Sequence, residues 1–212
     1  MKKIFIDGGA NIGQSTRSFL KQWPESETFE IYMFEPKPTR RLKKTNEAFK
    51  NVELLPAAVW IYDGEIDFFE KATGSQGNTL IHEKTIREPT RKYKKFTVKA
   101  ISLSNWIKTN FSREDYIILK LDVEGAEYEI IEDLYQTGVL EYIDMFFCEI
   151  HGLKCGKDFK SSKRLVEMCE EKGLTLYCWG AETFKYKSFK SRYYSDEKLK
   201  KEFKKWKERG LK

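Results

Sequence analysis

Four carboxylates, Asp7, Glu35, Asp122 and Glu149, each close a short apolar run in this 212-residue chain, and His151 follows the last of them by two positions. Carboxylates gathered at one place accept hydrogen bonds from hydroxyls, offset a cation, ligate a divalent ion or take a proton. His151 is one of only two histidines, the other being His82. At a strand end beside Glu149 it is the first candidate for a general base. Lys120 shares a strand face with Asp122 inside the run YIILKLD. An unpaired ammonium there is costly, so Lys120 is expected to meet Asp122, Glu149 or substrate. Asp122 is the second candidate for the base. Glu124 and Glu127 extend the acidic rim, and a divalent ion, if one is held, would take Asp122, Glu124 and Glu149 as ligands. Metal dependence stays open, because no adjacent aspartate pair and no histidine cluster marks a hard-cation site.

The elements that must position these groups alternate along the chain. KIFID reads as a strand and NIGQSTRSFLKQW, with Ile12, Phe19, Leu20 and Trp23 at near-helical spacing, as a helix. The plan repeats with a strand from Phe29 to Phe34 and a helix whose first turn carries Pro38. VELLPAAVW and GEIDFFE follow as strands, and the YDG between them predicts a hairpin. FTVKAIS leads into a short helix capped by Ser102 or Ser104, and YIILKLD into a helix with Ile130, Ile131 and Leu134 inward. YIDMFFCEIHG is apolar enough for a strand covered on both faces; a helix over SSKRLVEMCEEKG closed by Gly173 and a strand LTLYCWG come last. Alternation of this kind predicts an α/β three-layer sandwich around a mostly parallel sheet, one domain over residues 1–212. In such sheets ligands sit beyond the carboxyl ends of the strands, so the four acids should line one cleft. Taken singly, each acid is equally well explained as a cap on the helix or turn that follows.

The stretch DGGANIG places Asp7, Gly9, Asn11 and Gly13 at alternate positions. It is not GxGxxG, since Gly9 has no glycine at residue 11, so the pyrophosphate cradle of a dinucleotide site is missing. D-x-G-x-N-x-G is similar to the loop with which class I methyltransferases hold S-adenosylmethionine. Gly9 would let the backbone approach the ligand, Asn11 tolerates left-handed geometry, and Asp7 would accept hydrogen bonds near the amino-acid moiety. Glu35, 22 residues after Gly13, ends the second strand, where a carboxylate can accept both hydrogen bonds of a ribose diol.

FIDGGANIGQST, FEPKP, LLPAAVW, DGEIDFF, GSQGNTL, LSNWI, LKLDVEGAEYEIIEDL and FFCEIH, in that order, resemble the FkbM-type methyltransferase family over about residues 3 to 151, KLDVEGAE being the most specific element. The resemblance implies a Rossmann-like class I fold and methyl transfer from S-adenosylmethionine to oxygen, on a natural-product or sugar hydroxyl such as that of a terminal deoxyhexose like rhamnose. It implies that PAAVW, with Ala58 and Val59, borders the adenine. GSQGN is expected over the cofactor, with Ser75, Gln76 and Asn78 offering hydrogen bonds to its amino-acid end or to a sugar; a polar hairpin end is the plainer alternative. Beyond Lys160 the likeness fades. The lack of a second module resembles a glycan-methylating domain cut from a larger, chlorovirus-type glycosylation protein.

Composition bounds the rest. With 40% hydrophobic and 15% aromatic residues the chain is not disordered, and no apolar run approaches a membrane span. The opening MKKIFIDGG holds only a three-residue apolar run, so no export is expected. Cysteines 148, 155, 169 and 178 form no CxxC pair, which fits free thiols and a cytoplasmic location, that of the host if the chain is viral. The net charge is +6, of which residues 196–212 supply +4, eight basic against four acidic. Leu199, Phe203 and Trp206 make that tail an amphipathic terminal helix, docked on the body or touching a membrane surface. The basic segment Lys84 to Lys99 raises RNA ribose methylation as a rival. The five prolines are isolated, so the [DN]PP[FYW] motif of base methylation is absent and a nucleic-acid partner is not expected. A cofactor-binding module without turnover is the non-enzymatic alternative.

Overall fold

The computed structural model describes residues 1–72, 77–152 and 155–178. Ser75, Gln76 and residues 196–212, for which the sequence predicts a terminal helix, lie outside the described residues. Along the chain run β1 (Lys3–Gly8), α1 (Gln14–Gln22), β2 (Glu30–Phe34), α2 (Arg40–Ala48), β3 (Val52–Leu55), β4 (Ala58–Trp60), β5 (Gly64–Lys71), α3 (His82–Arg87), β6 (Tyr93–Ser102), α4 (Leu103–Asn110), β7 (Tyr116–Leu121), α5 (Glu127–Gln136), β8 (Met145–Cys148), α6 (Phe159–Glu171) and β9 (Leu176–Cys178).

Six strands form one sheet in the order β3-β2-β1-β7-β8-β9, every pair parallel. The chain winds outward from β1 through β2 to β3, then returns to the other side of β1 with β7. The strand order therefore reverses between β1 and β7, and a crevice opens at their carboxyl ends. This is the Rossmann-like α/β sandwich expected from the alternation of elements. β7 and β8 are buried at every position, which is why they read as continuous apolar runs.

Side chains alternate across the sheet into two cores. Ile4, Ile6, Ile117, Leu119 and Phe146 pack on one face with Leu103 and Ile107 of α4 and with Ile130, Ile131 and Leu134 of α5. Phe5, Ile31, Met33, Ile118 and Phe147 pack on the other with Phe19 and Trp23 of α1 and Leu42 of α2. Phe5 stacks on Phe19 with ring centroids 4.2 Å apart, fixing α1 against β1.

Helix ends follow local chemistry. Ser102 Oγ accepts from Asn105 N at 3.3 Å and caps α4, and Asp158 caps α6 through Ser161 N at 2.7 Å. After α6, Gly173 adopts φ 72° while Leu174 N and Gly173 N donate to Cys169 O and Glu170 O, a paired C-terminal cap. Pro38 lies outside α2, contrary to the sequence expectation, because Thr39 supplies the cap by accepting from Leu42 N at 3.2 Å.

The expected hairpin does not form. β4 and β5 both pair with β6, β4 in parallel and β5 antiparallel, so β6 lies between them in a second, three-stranded sheet. Three-residue β4 offers β5 little ladder, whereas β6 matches it from Gly64↔Ala100 to Lys71↔Tyr93. Asp63 of the turn spends its carboxylate on Ser102 N at 3.0 Å instead of closing a hairpin.

Candidate active site

A cavity of about 520 Å³ opens beyond the carboxyl ends of β1, β2, β7 and β8. Gly9, Asn11, Glu35, Ala58, Asn78, Asp122, Glu124 and Glu149 line it, together with Val59, Phe68 and Thr79. Asp7, Gly13, Lys120 and His151 stand behind or beside this wall.

The loop after β1 is shaped by close approach. Gly9 has φ 79°, and a Cβ there would lie 2.0 Å from Asp122 O, so only glycine lets the end of β1 press on the end of β7. Gly9 N and Ala10 N both donate to Phe34 O, at 3.1 and 3.0 Å. Asn11 takes left-handed geometry, φ 51°, and its amide donates to Glu35 Oε2 at 3.0 Å. Lys37 N donates to Glu35 Oε1 at 3.1 Å. Each carboxylate oxygen thus receives one backbone bond and keeps acceptor capacity. Burial pushes the Glu35 carboxyl up to about 7, against the lowering by these two N–H groups. Asn11 Oδ1 is buried with no hydrogen-bond partner among the described residues.

Beneath the loop lies a buried charge pair. Lys120 Nζ sits 2.9 Å from Asp7 Oδ1, its register partner on β1, and donates to Gly9 O at 2.9 Å and Gly8 O at 3.4 Å. Ser15 and Thr16 at the start of α1 donate to Asp7 Oδ2. Both side chains are fully buried. Burial opposes the ammonium, yet Asp7 and Asp122 raise its pKa and hold it charged. Gly13, φ 79°, ends the loop as the N-cap of α1, where a Cβ would crowd Arg17, Leu42 and Thr45.

At the other end of the cavity the VEGAE turn organises the acids. Glu124 is left-handed, φ 56°, and Gly125 has φ 118°. The fully buried Glu127 accepts from Val123 N at 3.0 Å and Gly125 N at 2.8 Å, closing the turn onto the start of α5. Its Oε1 also meets His151 Nδ1 at 3.0 Å. That bond sets the imidazole: Nδ1–H donates to the carboxylate, and Nε2 faces Glu149 Oε1 at 3.5 Å, Glu124 Oε2 at 3.5 Å and Asp122 Oδ1 at 3.9 Å. Burial alone would lower the His151 pKa, but the neighbouring Glu127 and Glu149 carboxylates and the charge of Glu124 raise it to about 10. Burial raises Asp122 to about 6, restrained by Lys120 and His151. Glu149 is half exposed.

Glu124 is already paired. Lys84, fully buried on α3, meets Glu124 Oε2 and donates to Gly77 O at 3.3 Å, and Thr79 Oγ1 donates to Glu124 O at 2.7 Å. Lys84 therefore belongs to the site's scaffold, not to an exposed basic track. Among the described residues Asp122, Glu149 and His151 offer ligand atoms that all lie within 4.8 Å of one another.

The methyltransferase FkbM domain model matches residues 7–174. The chain belongs to the FkbM methyltransferase family. No curated protein and no solved structure matches the chain. In this methyltransferase the matched span runs from Asp7 through α6, so the glycine loop, Glu35, the VEGAE turn and His151 all fall within the family domain. Of the four strand-end acids expected in one cleft, Glu35, Asp122 and Glu149 line the cavity; Asp7, expected beside the ligand's amino-acid end, is instead fully buried one layer deeper against Lys120, Ser15 and Thr16. The sequence marked Glu127 only as rim and missed Lys84. The signal for Glu127 was present, an acid at the first position of a helix after a glycine turn, whereas a lysine in a six-residue helix carries no mark of burial. Among the described residues no helix is long and apolar enough to cross a membrane.

Proposed function

We propose that this FkbM-family methyltransferase uses S-adenosylmethionine to methylate a hydroxyl of a sugar or glycan, with the whole chain acting as one domain. The observation that carries the reading is a single cavity with two chemically different ends. One end has Glu35, with acceptor capacity for a diol, and the orphaned Asn11 Oδ1, an acceptor suited to an ammonium; the other has Asp122 and Glu149, with His151 behind them. The glycine-shaped loop and these acceptors fit a nucleoside carrying an amino acid, and they offer no basic group to a pyrophosphate.

S-adenosylmethionine, when bound, supplies a methyl group on a sulfonium that an acceptor oxygen displaces in line. The chain's own residues do the remaining work. Glu35 and Asn11 orient the donor, and Val59 and Phe68 supply apolar wall. Asp122 and Glu149 accept hydrogen bonds from neighbouring hydroxyls of the acceptor, which favours a polyol. The hydroxyl proton leaves to the Asp122 carboxylate, raised to about 6, and then to water; His151, raised to about 10, is already protonated and holds the carboxylates rather than serving as the base expected from the sequence. An RNA acceptor suits the surface less well: Glu65 and Glu70 of β5 face Lys99 and Lys94 of β6 in register, and Lys95 pairs with Asp67 at 2.8 Å.

Titration with S-adenosylhomocysteine, followed by incubation with S-adenosylmethionine and rhamnosides read by mass spectrometry, tests the proposal. Wild type is expected to bind the analogue and methylate a sugar, and Glu35→Ala to lose the binding. A folded wild type that binds no analogue would overturn it.

A further inference from the structure

We infer that Asp122, Glu149 and His151 form a binding site for a first-row divalent cation, with Glu127 as the group that orients His151. Its role in the reaction, acidifying an acceptor hydroxyl, rests on the methyl-transfer reading above; its existence does not.

The geometry is that of a site set up from behind. Metal-bound histidines usually donate their other ring N–H to a carboxylate, which fixes tautomer and ring orientation. Here His151 Nδ1 meets the buried Glu127 at 3.0 Å, and Glu127 is itself fixed by two backbone N–H groups. The opposite nitrogen, on a side chain that is 4% exposed, points between carboxylate oxygens at 3.5 and 3.9 Å, longer than good hydrogen bonds. Two ligands on a cation with bonds of about 2.1 Å lie about 3.0 Å apart at a right angle and about 3.4 Å apart at the tetrahedral angle. All three ligand atoms lie within 4.8 Å of one another, so closing on a cation takes side-chain movement, which the half-exposed Glu149 can supply.

Electrostatics selects the members. Lys84 occupies Glu124 Oε2, the same oxygen that faces His151, so a cation at Glu124 would meet an ammonium; the sequence expectation of Asp122, Glu124 and Glu149 is thereby revised to include His151 in place of Glu124. Asp122 turns Oδ2 toward Lys120 and Oδ1 toward His151, so one oxygen remains for a metal. One imidazole with two carboxylates suits Mn²⁺, Fe²⁺ or Zn²⁺ better than Mg²⁺, which prefers oxygen and water alone.

Metal-stripped full-length chain titrated with MnCl₂, by calorimetry and by the electron paramagnetic resonance signal of free Mn²⁺, tests the site. Saturable one-to-one binding is expected, weakened about tenfold or more in Asp122→Asn, Glu149→Gln and His151→Gln, and held within about threefold in Glu124→Gln. Absence of saturable binding by wild type, or undiminished binding by His151→Gln, overturns the site. Should His151→Gln fail to fold, Glu149→Gln decides, because that side chain is 46% exposed and its loss spares the core. S-adenosylhomocysteine is titrated into the same samples. Analogue binding without Mn²⁺ binding sinks the metal site alone, and Mn²⁺ binding without analogue binding supports the metal site while sinking the donor reading.

Discussion

Glu35, the proposed acceptor for a ribose diol, shows what burial costs a single carboxyl. Its carboxyl is raised from the ordinary 4.5 to about 7 by burial, so the unliganded fold prefers it neutral. The stability that this group contributes is full below pH 4.5 and is lost as pH rises through 7, about 3 kcal/mol at the upper end. A ribose diol needs the ionised form, which gains abundance over the same interval. Affinity for S-adenosylhomocysteine is therefore expected to rise about tenfold between pH 6 and 8 in wild type and to stay flat in Glu35→Gln; calorimetry at fixed ionic strength measures it, and a flat wild-type profile would remove Glu35 from the donor site. Lys120 poses the opposite case, a charge with no access to the cavity. Lys120→Met leaves Asp7 buried and uncompensated and is expected to cost about 3–5 kcal/mol in urea unfolding, with part recovered in the Asp7→Asn/Lys120→Met double variant. A single variant as stable as wild type yet inactive would instead put Lys120 in contact with substrate.

At the level of elements, the site depends on where backbones touch. Gly9 and Gly138 have similar positive φ, 79° and 75°, but a Cβ on Gly9 meets Asp122 O at 2.0 Å whereas one on Gly138 meets nothing within 4 Å. Gly138→Ala is expected to cost only about 1–2 kcal/mol of conformational strain. Gly9→Ala must also part β1 from β7, so it should abolish analogue binding while far-UV circular dichroism keeps the sheet. Equal effects of the two variants would show that the β1–β7 contact does not shape the site. The same scale explains what could be read in advance. Strand–turn–helix units ending in Asp7, Glu35 and Asp122 were legible because each is local, a period change followed by a polar stop. The YDG turn misled because it is a local signal overruled by the longer β5–β6 ladder. Glu127 meeting His151 across 24 residues, and Lys84 meeting Glu124 across 40, exist only after the sheet and α3 are in place.

For the molecule as a whole, the question is which partner the charge distribution admits. Lysines on β6 face acids on β5, and the cavity rim is acidic, so binding of acceptor should vary less than about threefold between 50 and 200 mM salt; a phosphate-tracking surface would lose orders of magnitude over that range. Isothermal titration of a rhamnoside and of a short RNA at both salt concentrations tests this. A steep salt dependence with tight RNA binding would move the acceptor assignment to nucleic acid. Glu127 closes the backbone turn into α5 and steadies His151 with the same carboxylate, so helix register and imidazole direction form one unit. Anyone redesigning this enzyme for a new acceptor therefore inherits residues 122–127 as a fixed chassis, together with Thr79 and Lys84, which brace Glu124 from the side.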